Sequence, residues 1–260
     1  MTLLQKEINR MESNASSAQK PVIEISHLKK SFGVQKVLTD VSLKLYDGEN
    51  LVILGKSGTG KSVLIKCIVG LLNVEEGNIS VFGDKVDELD RKGLANLRQK
   101  IGFLFQSGAL YDSMSVKQNL EFPLRRIKKD LSEKEISEKV NETLENVGLL
   151  EALNKMPSQL SGGMRKRISL ARTIIVDPKI MLYDEPTTGL DPVTSDEISS
   201  LINDVQKKYK TSSIIITHDI SCARATGNRF VMLNEGKVYF DGLLEDLAKS
   251  EDPLIKSFFK

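Results

Sequence analysis

Residues 55–62 read Gly55-Lys56-Ser57-Gly58-Thr59-Gly60-Lys61-Ser62, a glycine-rich stretch that ends in an amine and a hydroxyl. The spacing is G-x-x-x-x-G-K-[ST]. Glycines let such a loop curl until successive backbone N–H groups face one anion. A helix that starts there adds the positive end of its dipole. Lys61 is placed to reach β- and γ-phosphates, and the Ser62 hydroxyl to ligate Mg²⁺. A second group is Asp184-Glu185, delivered by Ile180-Met181-Leu182-Tyr183. Beside a phosphate loop, Asp184 suits Mg²⁺ and Glu185 suits the polarisation of an attacking water. Strand alternation is expected to turn the two carboxylates to opposite sides. A third group is Ser161-Gly162-Gly163, which opens an apolar-faced helix and makes a second anion site. Two phosphate-recognising helix ends in one chain make sense if the second completes the site of another copy.

These residues need particular elements around them. Asn50–Leu54 carries the apolar run Leu51-Val52-Ile53-Leu54, and Val63–Leu72 is apolar on nearly every side, so the loop lies between strand and helix. Upstream, Ile23 and Ile25 alternate around Glu24, and Val41, Leu43 and Leu45 alternate with polar residues up to the Asp47-Gly48 turn. A further strand is expected at Ile79–Phe82 and another short apolar run at Ile101–Phe105. Residues 107–176 show helical periodicity and no strand: Ser132 to Glu135 fits a capping box, Ile136, Val140 and Leu144 follow, and Gly148 is the stop. Strand and helix alternation resumes with Ile180–Tyr183, a helix bearing Ile198, Leu201, Ile202 and Val205, and Ser213–Thr217. Phe230–Leu233 and Lys237–Phe240 read as a hairpin, and Leu243–Lys249 and Pro253–Phe259 as closing helices. The expected fold is α/β: a P-loop NTPase (RecA-like) core over 21–105 and 177–260 with an antiparallel β subdomain, and a helical insertion over 106–176. Residues 1–20 are polar and expected to be a mobile tail.

Composition narrows the function classes. The chain has 260 residues, 40% hydrophobic and 28% charged, with a net charge of +2. That balance favours neither nucleic acid nor a lipid surface as the main electrostatic partner. No apolar run approaches the ~18 residues of a membrane span. The first 20 residues lack the apolar stretch of a secretory signal. Cys67 and Cys222 show no metal-ligand spacing, and Cys67 reads as a small core residue in a reduced compartment.

Taken in order, the motifs resemble the nucleotide-binding subunit of an ATP-binding cassette (ABC) transporter over about residues 22–250. They are the phosphate loop, Gln106, Leu160-Ser161-Gly162-Gly163-Met164, the strand ending Asp184-Glu185, Gly189-Leu190-Asp191, and His218 after Thr217. The resemblance implies that Phe32 stacks on adenine and that the loop residues Gly55 to Ser62 hold ATP and Mg²⁺. It implies that Gln106 senses Mg²⁺ and the water, and links the core to the helical segment. His218 would contact the γ-phosphate and steady the catalytic Glu185. Ser161, Gly162, Gly163 and Asp191 would meet ATP held by a second copy in a head-to-tail dimer. Met164 stands where the family usually has Gln; that amide is not the main phosphate ligand, so the sandwich should survive.

A finer resemblance lies in Gln106-Ser107-Gly108-Ala109-Leu110-Tyr111, Met156-Pro157, the LSGGM stretch itself and Glu251-Asp252-Pro253. These segments are similar to MCE-associated (Mla-type) lipid-transport ATPases of double-membraned bacteria. The implied partners are a membrane permease seated near Gln106 and the helical segment, and an MCE-type lipid-binding protein, at the cytoplasmic side of the inner membrane. A transport ATPase for another cargo, or a soluble ABC ATPase acting on nucleic acid or ribosomes, stays open at this point. The latter usually carries two cassettes or a long coiled-coil insertion, and a basic tract with interleaved aromatics is lacking here.

Overall fold

The structure is a computed structural model that describes residues 20–258. The expected tail therefore lies, except for Lys20, outside the described residues. In chain order the elements begin with β1 (Ile23–Phe32), β2 (Gln35–Leu45), β3 (Asn50–Leu54), α1 (Lys61–Ile68), β4 (Glu76–Val81) and β5 (Asp84–Lys85). Then come α2 (Arg91–Gln99), β6 (Ile101–Leu104), α3 (Val116–Ile127), α4 (Glu133–Asn146) and α5 (Gly162–Ile174). The chain continues through β7 (Ile180–Asp184), α6 (Pro192–Tyr209), β8 (Ser212–Ile216), α7 (Ile220–Thr226), β9 (Arg229–Asn234) and β10 (Lys237–Gly242). It closes on α8 (Leu244–Lys249) and α9 (Pro253–Lys256).

Among the described residues, ten strands form one sheet in the order β5-β4-β1-β2-β10-β9-β3-β8-β7-β6. From β9 to β6 every neighbouring pair is parallel, and from β5 to β2 every pair is antiparallel. The two regimes meet where Lys237 of β10 pairs with Asp40 of β2. The β9–β10 hairpin turns at Glu235-Gly236, as its sequence indicates.

The central strands are apolar at nearly every position because both faces are covered. Leu51, Ile53, Ile180, Leu182, Ile214 and Ile216 face one core, which α1 and the antiparallel wing complete. Val52, Leu54, Met181, Tyr183, Ile215 and Phe230 face the other, which α5, α6 and α7 complete. Burying one such side chain stabilises by roughly 1.5–3 kcal/mol before entropy is charged. Between β6 and β7 the chain is helical only, with its own cluster around Val116, Leu120, Ile136, Val140, Leu144 and Ile168. Ser132 and Glu135 close the anticipated capping box on α4, which stops just before Gly148 at φ +67°.

Some boundaries differ from the sequence reading. The expected strand at Ile79–Phe82 runs instead over β4, because Phe82 takes a left-handed φ of +53° and Gly83 follows at +89°. Helix α2 was not among the expected elements; its Asp90 cap accepts from Gly93 N at 2.7 Å. The end of the expected Pro253–Phe259 helix lies outside the described residues, and α9 stops at Lys256. Cys67 and Cys222 are buried and free, and burial pushes the Cys67 thiol up to about 11. His27 is exposed, with φ +51° in a bulge of β1 and Nδ1 3.0 Å from Asp40.

Candidate functional site

The β3–α1 loop packs into a cradle that tolerates no larger residue at two points. A Cβ on Gly55 would lie 2.7 Å from Thr59 Oγ1 and 2.8 Å from the Leu233 carbonyl. Gly60 sits at φ +95°, and a Cβ there would lie 2.6 Å from Leu38. The loop therefore folds around Lys61 without a side chain in the way. Lys61 is 7% exposed, and its Nζ donates to the carbonyls of Gly55 at 2.6 Å and Lys56 at 3.0 Å. Burial pushes its ammonium pKa down, while the Glu185 and Asp184 carboxylates pull it back up.

Parallel pairing brings the carboxylates across from that loop. The Ser62 hydroxyl donates to Asp184 Oδ1 at 2.9 Å, joining two of the three residues, with Gln106, expected to serve Mg²⁺. Burial raises the Asp184 pKa, the Ser62 hydrogen bond lowers it, and Glu185 raises it. Among the described residues no group of three or more His, Cys, Asp and Glu could hold a metal unaided. That fits Mg²⁺ in a nucleotide site, where one or two protein oxygens are completed by phosphate and water.

Glu185 is turned away from Asp184, although not by strand alternation. It stands just past the end of β7 with φ +51°, so a left-handed backbone aims its side chain. Its Oε2 lies 2.8 Å from His218 Nδ1 and accepts from Thr188 Oγ1 at 3.2 Å. The His218 amide adds a longer contact at 3.4 Å. The backbone of Glu185 is anchored to β8 through its N–H, which donates to the Ile216 carbonyl at 2.9 Å.

A cavity of about 600 Å³ brings most of these groups together. Gly55, Ser57, Gly58, Gly60, Lys61 and Ser62 form its floor, and Gln106, Glu185 and His218 its catalytic side. Val37, Ser257 and Phe258 also line it, and no motif in the sequence pointed to them. Phe32, Thr59, Ser161, Gly162, Gly163, Asp184 and Asp191 are not among its lining residues, although Asp184 meets the lining residue Ser62. Phe32 is 47% exposed at the end of β1, with Lys30 Nζ 5.4 Å from its ring centre. Thr59 turns inward on its own loop, donating from Oγ1 to the Lys56 carbonyl at 2.9 Å. Ser161 caps α5 by accepting from Met164 N at 3.3 Å, and Asp191 caps α6 by accepting from Thr194 N at 3.0 Å. These two helix ends touch: a Cβ on Gly163 would lie 2.5 Å from Thr194 Cγ2. One group of site residues thus surrounds the cavity and a second forms a separate surface.

The sequence reading missed Thr188 and Lys166. Within Arg165-Lys166-Arg167, composition cannot tell which cation goes inside. Arg167 pairs with Glu197, and Arg165 reaches Asp112 at 3.6 Å. Lys166 is 7% exposed and donates to the carbonyls of Gln106 at 2.6 Å and Glu185 at 3.3 Å.

A glycine-lined loop feeding a helix, facing an Asp-Glu pair at the end of a parallel strand, defines a P-loop nucleoside triphosphatase. The family pattern for ABC transporters matches residues 38–188, and the chain belongs to that family. It is an ABC-type ATP hydrolase that binds ATP with Mg²⁺. A similar relative is the probable ribonucleotide transport ATP-binding protein mkl of Mycobacterium leprae, 42% identical over 91% of this chain and 68% of its own length. The chloroplastic protein TRIGALACTOSYLDIACYLGLYCEROL 3 of Arabidopsis thaliana is 39% identical over 91% of this chain and 73% of its own length. The methionine import ATP-binding protein MetN of Campylobacter jejuni is 36% identical over 91% and 75% respectively. Among solved structures, a dimeric ATP-binding cassette in a post-hydrolysis state with ADP and Pi is 32% identical. It superposes at a TM-score of 0.77 over 85% of this chain and 98% of its own.

Proposed function

We propose that the protein is the motor of a lipid transporter: two copies close head-to-tail on two ATP and drive a separate membrane permease. The carrying observation is the division of the site residues into two surfaces. Lys61, Ser62, Asp184, Glu185 and His218 converge on one side, while Ser161, Gly163 and Asp191 cluster beside Thr194 on another. A second copy in reversed orientation would lay the second surface against nucleotide held by the first.

Within the closed pair, Lys61 and the loop N–H groups bind the phosphates and Ser62 and Asp184 hold Mg²⁺. When bound there, Mg²⁺ would offset charge on the phosphate oxygens. Glu185 accepts the proton of the attacking water as a P–O bond forms at the γ-phosphorus and the bond to the leaving ADP oxygen breaks. His218 and Thr188 fix the Glu185 carboxylate in the required direction. Gln106 lines the cavity and its carbonyl meets Lys166 of the helical segment, and the exposed Phe32 at the end of β1 would stack on the adenine. Among the described residues no helix is long and apolar enough to cross a membrane, so movement of cargo is assigned to the permease.

Support for the permease seat comes from the segment after Gln106. Tyr111 is 45% exposed and packs edge-on against Phe122, with ring centres 5.2 Å apart. Arg172 donates to the Ala109 carbonyl at 2.7 Å, which holds the preceding turn rigid. Phospholipid cargo, an MCE-type lipid-binding partner and a place at the bacterial inner membrane rest on the likeness of residues 106–111, Met156-Pro157, 160–164 and 251–253 to Mla-type ATPases. The names of two relatives point to different cargoes, ribonucleotide and methionine. Purifying the native complex from membranes and identifying its permease and bound lipids tests the reading. A permease with an MCE-type protein and phospholipid is expected; a solute-binding protein for polar nutrients overturns the lipid assignment.

A further inference from the structure

Burying an ammonium costs several kcal/mol unless it is well paired, so a buried lysine outside the phosphate loop needs a reason. Lys166 lies five residues after Ser161 on α5, inside the protein, with two carbonyl partners on two other segments. One is Gln106, which follows β6; the other is Glu185, which follows β7. Burial pushes its pKa down, and the Asp184 and Glu185 carboxylates pull it back up.

The same face of α5 grips the chain that follows Gln106. A Cβ on Gly108 would lie 2.5 Å from Ser169 Oγ, so that backbone rests flush on the helix. Arg172 takes the carbonyls of Ala109 at 2.7 Å and Gly108 at 3.3 Å. Lys166, Ser169 and Arg172 are spaced i, i+3, i+6, a single stripe along the helix. Glu185 meanwhile has a left-handed backbone, a strained conformation for a residue with a Cβ. It persists only if its peptide groups are held from several directions. Its N–H is held by β8 and its side chain by His218 and Thr188. Its carbonyl is held by Lys166 and the Thr188 amide.

We propose that Lys166 is a positioning residue for hydrolysis, clamping the Gln106 and Glu185 carbonyls to the helix that begins at Ser161. This rests on the reading of Glu185 as general base and of Ser161 as the group that meets the second copy's ATP. When Ser161 engages nucleotide on the partner, α5 moves with it, and Lys166 carries that movement to the base in its own site. The two composite sites are thereby coupled through one side chain.

The test compares Lys166→Met, Lys166→Arg, Glu185→Gln and the double variant Lys166→Met/Glu185→Gln in the full chain. Steady-state ATPase rate, KM, ATP affinity and melting temperature are measured for each. Displacing a reacting group by about 1 Å costs on the order of 10²-fold, so Lys166→Met should lower kcat by roughly 10–100-fold. ATP affinity should stay within about threefold, because the phosphate loop is untouched, and Arg should restore most of the rate by supplying paired donors. The double variant should be no slower than Glu185→Gln alone, as groups acting as a unit are non-additive. If Lys166→Met fails to fold, Lys166→Gln, a neutral donor, carries the comparison. Wild-type kcat in a folded Lys166→Met or Lys166→Gln protein overturns the proposal. So does a loss that merely follows ATP affinity or melting temperature. A dead Glu185→Gln beside an active Lys166→Met sinks this inference alone; an active Glu185→Gln sinks the general-base reading and this one with it.

Discussion

Replacing Glu185 by Gln removes a base while keeping its shape. In the structure Oε2 receives Thr188 Oγ1 at 3.2 Å and the His218 amide at 3.4 Å, and lies 2.8 Å from His218 Nδ1. An amide oxygen accepts from the same donors, so the side chain should stay in place. What it cannot do is take a proton from water. Losing a general base costs roughly 10²–10⁴-fold, which corresponds to about 2.7–5.5 kcal/mol of transition-state stabilisation. Binding should be spared, because Lys61 is held by the Gly55 and Lys56 carbonyls and Ser62 by Asp184, none of which changes. The expected protein binds ATP with near wild-type affinity, releases phosphate very slowly, and accumulates as a nucleotide-trapped dimer. Phosphate release under saturating ATP and Mg²⁺, with light scattering on the eluted species, reads both properties at once. Undiminished hydrolysis would refute the base assignment. A collapse of ATP affinity would refute the claim that Glu185 acts on the water rather than on nucleotide binding.

Other expectations follow from the same contacts. Ser62→Ala deletes the hydroxyl that meets Asp184 at 2.9 Å, and should lower hydrolysis at least tenfold and shift its Mg²⁺ requirement upward, read from a metal titration. Removing Mg²⁺ with a chelator should stop phosphate release in the unaltered protein, and recovery on re-addition checks that the fold survived. Ser161→Arg places bulk at the α5 start without touching the ATP cavity; ATP-driven dimers should disappear while single-copy ATP binding persists, measured by sedimentation. Asp252 accepts from Tyr239 and caps α9, and these bonds hold its pKa below the ordinary 3.8. A depressed carboxyl stabilises above its unfolded pKa and loses that contribution as pH falls through the folded one. Proteolysis of the C-terminal turn should therefore stay slow at pH 5 and quicken only well below pH 4, whereas Asp252→Ala should be cut readily at both.

The amino-acid sequence by itself determined features set by strong patterns among near neighbours. The phosphate loop was legible because glycine spacing, an apolar run before it and an apolar helix after it lie within about twenty residues, and each sets its own backbone. The α4 capping box and the β9–β10 hairpin were legible for the same reason. The motif order was enough to indicate the cassette family. Only the tertiary structure decided which of these residues meet. Ser62 and Asp184 touch across 122 positions because β3 and β7 both lie beside β8, and no local pattern states that order. The direction of Glu185 came from a left-handed residue past the strand end, which alternation could not supply. Lys166 shows the limit most clearly. In sequence it is one of three consecutive basic residues, and only packing against Gln106 and Glu185 separates it from its neighbours. Burial is a property of what surrounds a residue, so a charged side chain inside a core carries no mark of it in the chain.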